Sequence, residues 1–145
     1  SKVSQETKLF QAQILPRLNQ SHLSLVLTSN KQFVGTKCLA TSLKFLNCSL
    51  KFKETRDQLK PHVEEIMTDV AMQLFITSER DYQAFEHDAI EYLRSQLDFH
   101  QDNNIKRQAA GLVQKLCGIK YEKSRSKQPP AHLLAYLNMI GQQLQ

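Results

Sequence analysis

The chain has 145 residues, 41% hydrophobic and 23% charged, and a formal net charge of +5. That is one domain's length and a globular composition rather than a disordered one. Four Gly and four Pro are too few for a fold built from tight β-turns. No apolar run approaches the roughly 20 residues of a membrane span, and no signal-peptide pattern is visible.

The chain opens at Ser1 without Met and enters a helical pattern almost at once, as expected of a piece of a longer protein. Leu9, Phe10, Ile14 and Leu18 recur at helical spacing, and Pro16 is expected to kink or stop that helix. Leu23 to Leu27 reads as a second short helix or a strand. Residues 1–32 are therefore expected to be an irregular first helix pair. The next stripe predicts a helix over 34–52, and another over 60–76 with Pro61 in its first turn, where a missing N–H has no cost. Asp57 is its candidate cap.

Residues 77–104 then break the pattern. Glu79, Asp81, Glu86, Asp88, Glu91, Asp98 and Asp102 face only Arg80 and Arg94, so the segment carries −5 and the rest of the chain +10. Within it, DAIEYLRSQL reads as a short helix capped by Asp88, whose carboxylate suits a helix N-terminus. Phe85, Tyr92 and Leu93 are expected to anchor the segment to the helices around it. Two further helices follow, at 104–119 and 130–144. Between them lies a basic stretch, YEKSRSKQPP at 121–130, with Lys123, Arg125 and Lys127.

An offset of 70 residues relates the two halves. Lys37 meets Arg107, Ala40 meets Ala110, Leu43 meets Val113 and Leu46 meets Leu116. At the same offset Val63 meets Leu133, Ile66 meets Tyr136, Met67 meets Leu137, Val70 meets Ile140 and Leu74 meets Leu144. A two-helix unit repeated in this way is the sequence mark of a helical solenoid of the HEAT/armadillo class. The expected architecture is all-α: a HEAT-like helical-repeat solenoid of about three antiparallel helix pairs, with one inserted acidic connection. Its parts are a first pair at 1–32, a repeat at 33–76, the insertion at 77–103 and a repeat at 104–145. Leu43, Leu46, Ile66, Val70, Val113, Leu116, Leu137 and Ile140 are expected to form one core.

Chemistry is sparse. No nucleophile elbow, phosphate-binding loop or dinucleotide fingerprint occurs. The five histidines fall in no metal-ligand spacing, and His62 and His132 occupy equivalent repeat positions. Cys38, Cys48 and Cys117 lie in apolar stripes and are expected to be buried, reduced thiols. No enzyme and no cofactor is expected. The candidate partner-binding residues are Glu79, Asp81, Glu86 and Asp88 in the insertion, and Lys123, Arg125 and Lys127 in the basic stretch. The basic stretch reads as a solvated connection, then as a site for an acidic protein, and only third as a phosphate contact for RNA, because Tyr121 is its sole aromatic.

The pairs Phe85-Glu86 and Glu91-Tyr92-Leu93-Arg94, followed by IKRQAAGLVQKLC at 105–117, resemble the karyopherin-β family of nuclear transport receptors. There an acidic connection ending in a Glu-Tyr-Ile-Arg-like element precedes a helix rich in Arg and Ala. The later half is most similar to the exportin that returns importin-α to the cytoplasm. LKPHVEEIMTDV at 59–70 is similar to importins of the seven/eight type. The resemblance covers roughly 33–118; His87 interrupts its acidic run, and HQDNN at 100–104 is outside the pattern. It implies a superhelix that binds Ran-GTP, protein cargo such as importin-α, and nucleoporin Phe-Gly repeats, shuttling between nucleus and cytoplasm. A helical-repeat scaffold or adaptor unrelated to transport is the alternative. Neither membrane nor nucleic acid is an expected partner.

Overall fold

The computed structural model describes residues 4–76, 78–97, 104–119 and 131–143. Every regular element among them is helical. The fold is all-α, as the sequence pattern requires.

The first element, α1, is one continuous helical run over residues 5–28, not the expected pair. It comprises Gln5–Leu9, a π turn at Phe10–Ile14, and Leu15–Thr28. The π turn explains why Pro16 does not stop it. Pro16 has no N–H, and its ring crowds the carbonyl four residues back. In the wider turn the Leu15 N–H reaches the Phe10 carbonyl instead, so the helix passes the proline with its pitch altered locally. Leu15, Asn19, Leu23 and Val26 form the buried face.

Helix α2, Thr36–Ser49, buries Leu39, Ala40, Ser42, Leu43, Leu46 and Ser49. Its end is closed from the next helix. The Arg56 guanidinium donates to the carbonyls of Leu50 and Lys51, both at 2.9 Å, satisfying acceptors that a helix terminus leaves open.

Helix α3 covers residues 53–75 and starts seven residues earlier than the proline suggested. It runs through Lys53–Leu59, a 3₁₀ turn at Lys60–His62, Val63–Glu65, a π turn at Ile66–Ala71, and Met72–Phe75. The tightened turn carries Pro61 without breaking the run. Asp57 is therefore no cap: it sits inside the helix, paired with Lys53 at 2.6 Å in solvent. The early turn is fixed to α1 by a polar lattice. The Asn19 amide, fully buried, donates to Thr55 Oγ1 at 2.9 Å and Gln58 Oε1 at 2.8 Å. Gln58 in turn donates to the Pro16 carbonyl at 3.1 Å.

Two short helices follow, α4 at Glu79–His87 and α5 at Ala89–Leu97. Then come α6, Ile105–Gly118, and α7, Ala131–Gln143. Helix α1 packs on α2 and α3, α6 closes against the same two, and α7 lies on α6. One cluster fills the centre, from Leu23 and Val26 through Leu43, Leu46, Ile66 and Val70 to Leu112, Val113 and Leu116.

The expected core is corrected at α7. Leu137 is 54% exposed, and Ile140 is only half-buried. The face that meets the core carries Leu133, Tyr136 and Met139. Those residues share one side of a helix at three-residue spacing, one position out of phase with Leu137 and Ile140. Ala110 is likewise exposed while Ala109 is buried, so the Ala40–Ala110 match does not extend to burial. Cys38 and Cys48 are also exposed, against expectation, on the flanks of α2; Cys117 alone is buried.

Candidate interaction surface

Residues 78–97 of the acidic segment fold as a helical hairpin, and its own side chains build it. Helix α4 opens with a capping box in the sequence SERD. The Asp81 N–H donates to Ser78 Oγ at 3.1 Å, while the Ser78 N–H and hydroxyl donate to Asp81 Oδ2 at 2.9 and 2.8 Å. This reciprocal arrangement satisfies donors that would otherwise be open at the helix start. The hairpin turns on one residue, Asp88, in extended conformation at φ −151° and ψ 93°. Its carboxylate accepts the Glu91 N–H at 2.9 Å and so caps α5, as expected. Glu91 and Arg94 pair at 3.3 Å in solvent.

Phe85 and Tyr92, expected as anchors to the helices around them, are exposed and half-buried respectively. They meet each other across the corner, edge to face, with ring centroids 5.9 Å apart, a favoured aromatic geometry. Each helix then shows apolar side chains to water: Tyr82 is 56% exposed, Phe85 46%, Ile90 73% and Leu93 49%.

A charge joins hairpin and bundle. Lys106, in the first turn of α6, donates to Asp81 Oδ2 at 3.1 Å, and the pair is largely shielded. Asn104 caps α6 by accepting the Arg107 N–H at 3.1 Å. One carboxylate thus serves two neighbouring helix starts, where negative charge is favoured. The Ser78 N–H, then its hydroxyl, and after them Lys106 hold the Asp81 carboxyl below its ordinary range.

The structure therefore separates the acidic candidates. Glu79, Glu86 and Asp88 face water. Asp81 is engaged inside the molecule. Lys123, Arg125 and Lys127 lie outside the described residues. The Ser78–Asp81 box follows a local Ser-x-x-Asp pattern that the sequence reading passed over, and its link to Lys106, 25 positions on, has no local sequence mark.

Elsewhere the chemistry is quiet. Burial pushes the Cys117 thiol up, away from the thiolate a nucleophile needs. His22 stacks on Phe45 at 4.3 Å and lies 3.0 Å from the Ser42 hydroxyl through Nδ1, with burial lowering its pKa. Among the described residues, no three His, Cys, Asp or Glu side chains come together to hold a metal ion. None of the described helices is long and apolar enough to cross a membrane. A groove between α3 and α7 is floored by Val63, Met67, Tyr136 and Met139.

These features define a stacked all-α chain with an acidic helical hairpin set between two of its helices. Over 72 residues, half of its length, the chain is 28% identical to importin-8 of Homo sapiens and 26% identical to importin-8 of Mus musculus. The matched stretch covers 7% of each relative, so the chain spans a small part of the curated proteins it matches. No family model matches the chain, and no solved structure does. The likeness falls on the seven/eight type of importin that the residues at 59–70 suggested. The resemblance to the importin-α re-exporter gains no support from it.

Proposed function

We propose that the chain is a segment of a nucleocytoplasmic transport receptor of the karyopherin-β kind. The observation that carries this reading is the importin-8 likeness, on a chain whose described regular elements are all helices. In this reading α2 with α3 (33–76) and α6 with α7 (104–145) are successive repeats, and 77–103 is an insertion between them. The helical surface binds Ran-GTP and protein cargo, importin-α or another, and Phe-Gly repeats of nucleoporins, as the receptor passes between nucleus and cytoplasm. Such binding requires no catalytic group and no cofactor. Glu79, Glu86 and Asp88 supply negative charge toward a basic partner, with Asp81 setting their helix in place. Lys123, Arg125 and Lys127 supply positive charge toward an acidic one.

The test is capture of the chain on immobilised Ran loaded with GTP or with GDP. Retention by the GTP form over the GDP form is the expected result. Equal retention, or none, favours the alternative of a helical-repeat scaffold unrelated to transport.

A further inference from the structure

We propose that the cleft between α2 and α6 binds an extended acidic peptide of a partner protein, with Arg107 receiving a carboxylate and the carboxamides of Asn47, Gln108 and Gln114 reading the peptide main chain. The site involves neither Ran nor the basic stretch at 121–130, and it stands apart from the transport reading.

The cleft has a volume of about 400 Å³, and Asn47, Arg107, Gln108, Gly111 and Gln114 line it. Asn47 reaches it from α2, and the other four belong to α6. The helices meet closely there because Gly111 has no side chain: a Cβ at that position would stand 2.7 Å from Asn47 Nδ2. Lys115 clamps the same seam by donating to the Asn47 carbonyl at 3.0 Å. The Asn47 carboxamide nevertheless carries an acceptor, Oδ1, that is buried and has no donor. A buried polar atom without a partner is uncommon in a folded protein and needs a reason. Among the described residues one other such atom occurs, Asn19 Oδ1. Its carboxamide is already held by Thr55 and Gln58, so the lattice between α1 and α3 accounts for it. Nothing comparable holds Asn47 Oδ1. Asn χ2 is a soft torsion, so the carboxamide can turn toward a ligand.

Chemistry selects that ligand. The lining holds one cation and three carboxamides, and no carboxylate. Neither α2 nor α6 contains Asp or Glu, whereas together they carry Lys37, Lys44, Lys106, Arg107 and Lys115. The cleft therefore favours an anion. A guanidinium presents its donors in a fixed fork and receives a carboxylate through two of them. Carboxamides both donate and accept, which matches the alternating C=O and N–H of an extended main chain. A bare phosphate offers acceptors alone, whereas a peptide N–H supplies the donor that Asn47 Oδ1 lacks. Nucleic-acid bases carry donors too, but no aromatic ring lines the cleft to stack them.

The experiment uses the 145-residue chain and three labelled probes of equal length: a peptide of alternating Glu and Gly, the same peptide with Gln for Glu, and an oligouridylate. Fluorescence anisotropy gives affinities at low and physiological salt, beside a thermal melt of each variant. The Glu peptide should bind at least about tenfold tighter than the Gln peptide. Arg107→Met should weaken that binding about tenfold. Arg17→Met, which removes one charge from the exposed side of α1, should change it less than about twofold. Asn47→Leu should weaken it about threefold or more without lowering the melt, because it removes a buried polar atom that has no partner. Equal binding of the two peptides, or equal losses in Arg17→Met and Arg107→Met, reduces the effect to bulk charge and overturns the proposal. Unchanged affinity in both Arg107→Met and Asn47→Leu places the peptide elsewhere and overturns it as well. So does a lower melt with unchanged affinity in Asn47→Leu, since Asn47 would then serve packing alone. Tighter binding of the oligouridylate, lost in Arg107→Met, would assign the cleft to nucleic acid instead. Should Arg107→Met fail to fold, Asn47→Leu decides by itself.

Discussion

At the scale of single residues, helical periodicity identifies a stripe better than it fixes the stripe's phase. Leu116 was legible because its neighbours at three and four positions, Leu112 and Val113, keep the same side apolar, and it is fully buried. Leu116→Ala should cost about 2–5 kcal/mol, the loss of a core side chain plus the cavity left behind. Leu137→Ala, on the solvent side of α7, should cost less than about 1 kcal/mol. Urea unfolding of the two variants checks both, and equal losses would contradict the observed phase of α7. Nothing in the sequence marked His22, which gains its character from Phe45 and Ser42 on another helix. Burial lowers its folded pKa, so the unfolded chain takes up the proton first as pH falls. The sign follows: stability is full above the ordinary histidine pKa of about 6.5, declines below it, and levels off once pH is beneath the folded pKa. His22→Asn should remove this slope between pH 7 and 5 whatever it does to absolute stability. Denaturant midpoints measured across that range for parent and variant read the difference, and unchanged slopes would refute the assignment.

At the scale of elements, the two prolines show where sequence reasoning fails and why. Proline removes a donor and adds a steric clash, so Pro16 was expected to kink or stop its helix and Pro61 to lie at the start of one. In α1 and α3 the neighbouring turns change pitch instead, to π before Pro16 and to 3₁₀ around Pro61. The buried Asn19–Thr55–Gln58 lattice then holds the two altered helices together. The bonds that join the two helices span 36 to 42 positions, and no local pattern encodes them. The hairpin gave the opposite lesson: Asp88 is a local signal and its cap formed as expected, while the equally local Ser78–Asp81 box went unread. Its attachment is the non-local part. A double-mutant cycle on Asp81→Asn and Lys106→Met should give a coupling of roughly 0.5–1 kcal/mol. Since the pair is partly screened, the coupling should shrink in high salt. Asp81 also sets an acid limb. Its folded pKa is lowered, so its stabilisation is present above the ordinary carboxylate range and is lost as pH falls through the folded value. A coupling near zero at low salt would mean that the hairpin is held by something other than this pair.

At the scale of the whole molecule, the distribution of charge says more than its sum. A net charge of +5 alone is a weak argument for nucleic acid; an island of −5 inside a remainder of +10 divides the candidate contacts into an acidic set and a basic set. Only the acidic one has a described structure, and there the sequence supplied the charges while the fold decided which are offered and which are used internally. The basic stretch can be tested against its rival without any structure. If Lys123, Arg125 and Lys127 track a single-stranded RNA backbone, each phosphate they neutralise releases a counterion, and log K should fall with log salt at a slope of about −0.7 per contact. If they meet an acidic protein, RNA affinity should be negligible, and the triple change to Ser should slow association with that partner while its dissociation changes little. Negligible RNA affinity is expected, because one aromatic residue, Tyr121, gives bases almost nothing to stack on. If the stretch is only solvated, stability should shift by less than about 1 kcal/mol and partner binding should not change. Filter retention of a labelled polyuridylate between low and physiological salt, beside a thermal melt of parent and triple variant, decides the matter. Salt-sensitive retention that the triple variant abolishes would place RNA, not a protein, against this part of the chain.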